Sequence, residues 1–250
     1  MELSGLKLRY LEGGTGEPML VLHHSTGNVG WLPIHDNLAA SFTVQLPDMP
    51  GYGGSERPEW AREPRDLAIL MNQMLDKQGA NGVHLVGFGF GGFIAAEMAT
   101  MNQGRLKSLT LVGAAGLQPD EGEIMDQMMV DYHEYVEAGF ASKDLFVKNF
   151  GEDPADDVRT LWDFSREMTA RLTWKPYMFN RRLPHLLREV QTPTLLLWGD
   201  QDAVVPPIVA KQYDAALPNS KVELISGAGH LVDMEDPEGV ARRIAAHAGK

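Results

Sequence analysis

The chain has 250 residues, of which 44% are hydrophobic and 22% charged, which excludes a disordered protein and fits one large α/β domain or a core with one insertion. The formal net charge of −12 argues against nucleic acid as a partner, because phosphate binding draws on clustered Lys and Arg. No cysteine is present, so disulfide and thiolate chemistry are excluded.

The N-terminal stretch MELSGLKLRYLEGG lacks the apolar centre of a secretory signal. No apolar run approaches the roughly 18 residues of a membrane span. We therefore expect a cytoplasmic protein that acts on a small molecule, without a membrane or nucleic-acid partner. The sequence predicts no particular oligomeric state.

Strand and helix patterns alternate along most of the chain. Apolar or alternating runs typical of strands lie at LKLRYLE (6–12), PMLVLHH (18–24), FTVQLPD (42–48), VHLVG (83–87), LKSLTLVGAAG (106–116), TPTLLLWGD (192–200) and KVELISG (221–227). Helical spacing is found at about 62–77, 90–101, 206–216 and 237–248. This alternation predicts an α/β fold with a mainly parallel sheet covered on both faces by helices.

One interval interrupts the alternation. Residues 117–190 contain no buried strand pattern but carry helical patterns at EIMDQMMVDYHEYVEAGF (123–140), TLWDFSREMTARL (160–172) and TWKPYMFNRRLPHLLREV (173–190). We interpret them as a helical insertion in a core formed by residues 1–116 and 191–250. Its Met and aromatic side chains suit a lid, and ordinary packing of a helical subdomain is the alternative.

The stretch LVGFGFGGF (85–93) fits two different motifs. Gly87, Gly89 and Gly92 spell GxGxxG, a dinucleotide-binding loop, but the next strand ends without the acidic residue that would hold the ribose. The alternative is a GxSxG nucleophile elbow in which glycine stands at the serine position, Gly89. An elbow requires an acid and then a histidine at later strand ends, and Asp202 and His230 follow two later strands in that order.

Five segments together closely resemble the α/β-hydrolase superfamily. They are LVLHHSTG, LPDMPGYGGSERP, VHLVGFGFGGFIAAEMA, TPTLLLWGDQDAVVP and ISGAGHLVDMEDPEGV, and they cover nearly the whole chain outside the insertion. The resemblance implies the α/β-hydrolase fold, with the insertion at the position of the family's helical cap.

The resemblance also implies roles for individual residues. His230 matches the catalytic histidine, and Asp202 matches the acid that orients it. The nearby Asp200 is the alternative candidate for that acid. The backbone amides of Phe90 and Ser25 match the oxyanion-hole donors.

Four further residues are candidates for the pocket, namely His24, Phe88, Trp162 and Tyr177. His24 departs from the family, where glycine is common at this position, and it either narrows the oxyanion hole or adds a polar group to the pocket. His23 resembles a structural histidine that supports the loop.

Gly89 is the departure that affects the chemistry. Glycine adopts the strained elbow conformation freely but has no atom that attacks a substrate, so the acyl-enzyme route is closed there. Ser25 and Ser55 lie on other loops and are poor substitutes.

Three explanations follow for a glycine at the elbow. The protein is an enzyme that uses the His230–Asp202 dyad as a general base on a small, largely apolar ester or carbonyl compound, or a ligand-binding pseudoenzyme, or an engineered serine knockout. No cofactor or metal is predicted for any of them.

Overall fold

The computed structural model describes residues 1–249, and a seven-stranded sheet forms its centre. The strands are β1 (Glu2–Leu3), β2 (Leu6–Lys7), β3 (Tyr10–Gly13), β4 (Glu17–Leu22), β5 (Phe42–Pro47), β6 (Val83–Phe88), β7 (Leu106–Val112), β8 (Thr194–Gly199) and β9 (Ser220–Ile225). The order in the large sheet is β3-β5-β4-β6-β7-β8-β9, and β1 pairs with β2 alone. Only β3 runs antiparallel to its neighbour, so this is the mainly parallel sheet that the alternation predicts.

Ten α-helices surround the sheet in the described chain. They are α1 (Pro33–Ala39), α2 (Pro64–Gln78), α3 (Phe90–Asn102), α4 (Tyr132–Ala138), α5 (Lys143–Phe150), α6 (Asp156–Thr173), α7 (Leu183–Leu187), α8 (Ile208–Ala216), α9 (Val232–Glu235) and α10 (Pro237–His247), with a short 3-10 turn at Gln103–Arg105. Two hydrophobic clusters result, one with α1 and α10 and the other with α2, α3 and α8. Both faces of the sheet are therefore covered.

The central strands are buried along their whole length. Every residue of β6 and β8 is buried, as their unbroken apolar sequences predict for strands with helices on both faces. The edge strand β9 is only partly buried, which explains why Lys221 and Glu223 are tolerated in it.

Three local predictions are wrong. LKLRYLE does not form one strand, because β2 pairs with β1 whereas β3 pairs with β5, and the buried Leu8 lies between them. The helical pattern at 123–140 forms a helix only from Tyr132, and that at 173–190 only over Leu183–Leu187. The helix α1 has no counterpart among the predicted elements.

The segment between β7 and β8 carries α4 to α7 and contacts the loops at the carboxyl ends of the strands. Tyr135 of α4 touches Ser25 after β4, and Thr169 of α6 touches Tyr52 after β5. Gly27 allows α6 to pack closely against the loop after β4, because a Cβ on Gly27 would lie 2.4 Å from Ser165 Oγ of α6. Within residues 1–249, none of the helices has the length and apolar character that crossing a membrane requires.

Candidate active site

Gly89 forms the turn between β6 and α3. Its φ of +53° and ψ of −113° place it in a region that side-chain-bearing residues rarely adopt. The neighbouring glycines serve close packing, since a Cβ on Gly87 would lie 2.4 Å from the carbonyl oxygen of Gly91, and one on Gly92 would lie 2.5 Å from Ala114 Cβ. The glycines of this stretch are therefore explained by a tight strand-to-helix turn without a bound phosphate.

His230 and Asp202 meet at the carboxyl end of the sheet, from the loops after β9 and β8. His230 Nδ1 lies 2.8 Å from Asp202 Oδ2, and both side chains are buried. The other carboxylate oxygen of Asp202 accepts hydrogen bonds from the amides of Val204 and Val205, at 2.9 and 2.8 Å. These bonds fix the carboxylate, which in turn holds the imidazole with Nε2 free.

Asp200 does not contact His230. Its Oδ1 accepts a hydrogen bond from the amide of Gly227 at 2.7 Å, so it ties the loop after β8 to the loop after β9. Of the two aspartates in this loop, Asp202 is the one that orients the histidine.

A second buried histidine–carboxylate pair lies beside the first. His24 Nε2 is 2.9 Å from Asp233 Oδ1, with Asp233 in α9, and both side chains are buried. The His24 ring lies 5.1 Å from the His230 ring and stacks on Phe88 at 5.5 Å, measured between centroids. Sequence reasoning places His24 in the pocket but misses Asp233, for which the only signal is one acid among several in LVDMEDPEGV.

The two imidazoles converge on the space above Gly89. An ideal Cβ on Gly89 would lie 2.7 Å from His24 Nδ1 and 2.9 Å from His230 Nε2. His24 Nδ1 is buried and has no hydrogen-bond partner among residues 1–249. The two ring nitrogens that do not face carboxylates therefore approach the same point from two sides.

His23 supports this arrangement from below. Its Nε2 accepts a hydrogen bond from the amide of Met49 at 3.0 Å, and its Nδ1 donates to the carbonyl of His24 at 2.7 Å. Burial lowers the pKa of His23 to about 4, so the ring is neutral near pH 7. His23 is thus a structural residue of the loop that carries His24 and Ser25.

Tyrosines of the helical segment lie above Ser25. The Ser25 hydroxyl is 3.2 Å from the hydroxyl of Tyr135, and Tyr132 donates to the Ser25 carbonyl at 3.4 Å. Burial raises the pKa of Tyr135 to about 12, which keeps its hydroxyl protonated at neutral pH. A cavity of about 10 Å³ is enclosed here, lined by His24, Ser25, Tyr135, Val204, His230 and Leu231 among others. That volume holds about one water molecule.

The loop that carries His230 is hydrogen-bonded to the helical segment through Glu235. One carboxylate oxygen of Glu235 accepts from the amide of Ala141 at 2.6 Å, and the other accepts from the amide of Gly229 at 2.9 Å. The amide of Leu231 also donates to the carbonyl of Gly139 at 2.8 Å. Residues on both sides of His230 are therefore attached to the segment above it.

The remaining predicted residues lie farther from the convergence point. Trp162 is buried against Phe150 in the helical segment, and its Nε1 has no partner in the described chain. Tyr177 uses its hydroxyl to accept from the amide of Gln127 and to donate to the carbonyl of Met125. Ser55 donates to the carbonyl of Asp48 at 2.6 Å, in the turn that follows β5.

The fold and the sequence together define the class of protein. The sequence profile of the Alpha/beta hydrolase family matches residues 20–243, so this chain belongs to that family.

Relatives within this class carry several different functions. The chain is 30% identical to the dihydrolipoyllysine-residue acetyltransferase component of the acetoin cleaving system from Pseudomonas putida, over all of this chain and 68% of that protein. It is 26% identical to a 2-hydroxy-6-oxononadienedioate/2-hydroxy-6-oxononatrienedioate hydrolase from Paraburkholderia phymatum, over 93% of this chain and 88% of the relative.

Solved structures with the same fold include hydrolases of small compounds. The meta-cleavage product hydrolase from Pseudomonas fluorescens IP01 superimposes with a TM-score of 0.81 at 20% identity, covering 98% of this chain and 95% of that one. A bacterial membrane phospholipase A superimposes with a TM-score of 0.82 at 23% identity, covering 99% and 84%. At these identities the likeness establishes the fold.

Proposed function

We propose that the protein is an enzyme that acts on a small, largely apolar ester or carbonyl compound by general-base catalysis, without a covalent intermediate. His230 is the base, and Asp202 orients it. The observation that carries the proposal is a buried, carboxylate-held imidazole whose free nitrogen lies 2.9 Å from the Cβ position of a residue that has no side chain. A base in this position has a water or an acidic substrate proton within reach.

Covalent catalysis has no nucleophile at this elbow. Gly89 has no hydroxyl, the Ser25 hydroxyl is engaged with Tyr135, and the Ser55 hydroxyl is bonded in a different turn. Loss of one triad member in a serine protease lowers kcat by as much as about 10⁶-fold. A positioned general base contributes about 10²- to 10⁴-fold by itself, which suffices for a reactive ester or an acidic carbon.

The backbone amides of Phe90 and Ser25 are the proposed oxyanion donors. Phe90 is the first residue of α3, where an amide has no acceptor within its own helix. The helix N-terminus adds a partial positive charge that favours a developing oxyanion. Replacement of the serine side chain by glycine leaves these backbone donors in place.

The substrate class follows from the lining of the enclosed cavity. Val204, Val136 and Leu231 are apolar, and the hydroxyls of Tyr135 and Ser25 supply the polar contacts. The relative that is a hydrolase of 2-hydroxy-6-oxononadienedioate supports a carbonyl compound as the substrate. The enclosed volume of about 10 Å³ is too small for such a molecule, so substrate entry requires residues 117–190 to move as a lid.

A ligand-binding protein without turnover is the second candidate, favoured by the small cavity beside His230 and the absent nucleophile. The two candidates are distinguished by a panel of small aryl esters and β-dicarbonyl compounds, assayed for product by mass spectrometry. We expect His230→Ala to lower turnover about 10²- to 10⁴-fold. The exposed His185 on α7 supplies the control variant His185→Ala, which should retain full turnover.

Binding of a panel compound without product would favour the ligand-binding candidate. Turnover that is unchanged in His230→Ala would reject the general base. Urea unfolding of both variants separates a loss of catalysis from a loss of folding.

A further inference from the structure

The geometry around His24 points to a second catalytic pair. We infer that His24, oriented by Asp233, accepts one hydrogen bond from the attacking water while His230 accepts the other. The inference rests on the proposed general-base function and deepens it, because it assigns the nucleophile as a water held between two imidazoles above Gly89.

The hydrogen bonds determine which ring nitrogens are free. Asp233 faces Nε2 of His24, so a neutral ring carries its proton there and presents a lone pair at Nδ1. Asp202 faces Nδ1 of His230, so that ring presents its lone pair at Nε2. The two pairs use opposite tautomers, and each carboxylate fixes one of them.

The two lone pairs share one small space. His24 Nδ1 and His230 Nε2 lie 2.7 and 2.9 Å from the same ideal Cβ position on Gly89. That position is within bonding distance of Gly89 Cα, so an occupant lies farther out, between the two rings. Two acceptors so close together favour an occupant that donates twice, and a water molecule has two protons. His24 and His230 also line the cavity of about 10 Å³, whose volume matches one water.

A water bound in this way is oriented for attack. With both protons donated to the imidazoles, the lone pairs of its oxygen face the substrate. In ester hydrolysis the oxygen forms a bond to the carbonyl carbon while one of its protons moves to His230 Nε2. The tetrahedral intermediate then expels the alkoxide, which takes that proton back from His230. The products are a carboxylic acid and an alcohol, and both imidazoles return to their neutral forms.

The position of His24 also excludes a serine at position 89. A serine Cβ would lie 2.7 Å from His24 Nδ1 and 2.9 Å from His230 Nε2, both closer than real Cβ contacts allow, and Asp233 holds the His24 ring in place. His24 in this position therefore requires a glycine at position 89. This conflict argues against a single-site knockout of a serine enzyme, because restoring the serine alone would displace a carboxylate-bound imidazole.

The first test compares His24→Ala and Asp233→Asn with Asp236→Asn, a control at the N-terminus of α10. With p-nitrophenyl acetate as the probe, we expect each of the first two to lower kcat about 10²-fold with little change in KM, and the control to retain wild-type kinetics. Loss of turnover in His230→Ala with unchanged kcat in His24→Ala and Asp233→Asn would overturn the second pair but keep the proposed function. Unchanged turnover in all of them would reject both.

A second test needs no turnover. Ring-nitrogen NMR of the 15N-labelled protein should find the proton of His24 on Nε2 and that of His230 on Nδ1. His24→Ala should shift the His230 Nε2 resonance, and Asp236→Asn should not. A proton on Nδ1 of His24, or one zinc ion per chain by elemental analysis, would overturn the assignment of a bridging water.

A third test uses the conflict at position 89. We expect Gly89→Ser alone to resist labelling by a fluorophosphonate probe, because the new side chain meets His24. The double variant Gly89→Ser with His24→Ala removes the closer of the two contacts and leaves the serine beside His230, whose Nε2 lies 2.9 Å from the Cβ position. We expect it to be labelled at least about tenfold faster than the single variant. Equal labelling of the single and double variants would overturn the mutual exclusion. Circular dichroism confirms that each variant is folded before labelling.

Discussion

The candidate site lies between two regions, here called the floor and the roof, which differ in how many of their buried polar atoms are hydrogen-bonded. The floor is formed by loops at the carboxyl ends of the strands, including His23, Asp202 and His230, and its polar atoms are hydrogen-bonded to carboxylates or backbone. The roof is the helical segment of residues 117–190. Its buried atoms Gln127 Nε2, Trp162 Nε1 and Ser165 Oγ have no partner in the described chain.

This difference separates two tasks, which are to hold the catalytic groups in one geometry and to bind a ligand. Paired groups in a close-packed floor hold one geometry, which catalysis requires of a base and its orienting acid. Unpaired polar groups in the roof lower stability but are free to bond a ligand. In the described floor, the exceptions are His24 Nδ1 and His230 Nε2, which both lie near the space above Gly89. We therefore expect floor substitutions to change turnover and roof substitutions to change stability and substrate choice.

The largest effect should come from Asp202→Asn. The carboxylate accepts three hydrogen bonds. An amide in its place loses the charge, and with its oxygen toward the amides of Val204 and Val205 it turns a donor toward His230 Nδ1, which favours the wrong tautomer of the imidazole. We expect kcat to fall about 10³- to 10⁴-fold, as loss of the orienting acid does in serine proteases. Asp200→Asn is the matched control, and unchanged steady-state kinetics are expected for it. Equal losses in both variants would mean that the floor acts only as a folding element.

Acid should destabilise the folded chain through two buried histidines, His23 in the floor and His35 in α1. Burial lowers the pKa of His23 and of His35 to about 4, so both rings are neutral in the folded chain and charged in the unfolded chain between pH 6.5 and 4. The unfolded state binds more protons in that range, and stability is therefore complete above pH 6.5 and falls as the pH drops. At pH 5 each histidine should cost about 2 kcal/mol.

His35→Asn checks this prediction. Asn keeps an oxygen that can accept the hydrogen bond which Leu32 donates to His35 Nδ1, but it does not titrate. Urea unfolding at pH 7 and pH 5 should find an acid loss smaller by about 2 kcal/mol in the variant. His185→Asn is the control, and a loss equal to that of the wild type in both variants would contradict the assignment.

The smallest effect is predicted for two neighbouring hydroxyls in the roof. Ser165 Oγ is buried without a partner among residues 1–249, whereas Thr169 Oγ1 bonds the hydroxyl of Tyr52 at 2.7 Å and the Ser165 carbonyl at 2.9 Å. We expect Ser165→Ala to raise the free energy of unfolding by about 1 kcal/mol and Thr169→Val to lower it by about 1 to 2 kcal/mol. Urea denaturation of the pair measures both. A loss of stability in Ser165→Ala would mean that this hydroxyl is bonded after all.

The sequence predicts the sheet better than the segments around it. Buried parallel strands are continuous apolar runs, so β6 and β8 are recognisable without any partner. The helix α1 is missed because it has only seven residues, and its packing against α10 is not encoded locally. Residues 123–131 carry a helical pattern, yet they follow tertiary contacts such as the bonds between Tyr177 and the backbone at Met125 and Gln127.

The candidate site is predictable only where a motif fixes the spacing. Asp202 and His230 follow strand ends in a recognisable order, and the structure brings them to 2.8 Å. The pairing of His24 with Asp233 joins residues 209 positions apart, and nothing in the spacing selects Asp233 from the other acids of its segment. Such a contact follows from the three-dimensional fold alone.

Glu235 has a consequence for the timing of catalysis. Because its carboxylate holds an amide beside His230 and an amide of the helical segment at once, a roof that lifts for substrate pulls on the loop that aligns the base. Entry of the substrate and alignment of His230 are then governed by one equilibrium, in which the open state favours entry and the closed state favours alignment. Under the proposed function, an open protein would admit substrate with His230 out of alignment, and the base would regain its geometry only when the helical segment closes over the substrate.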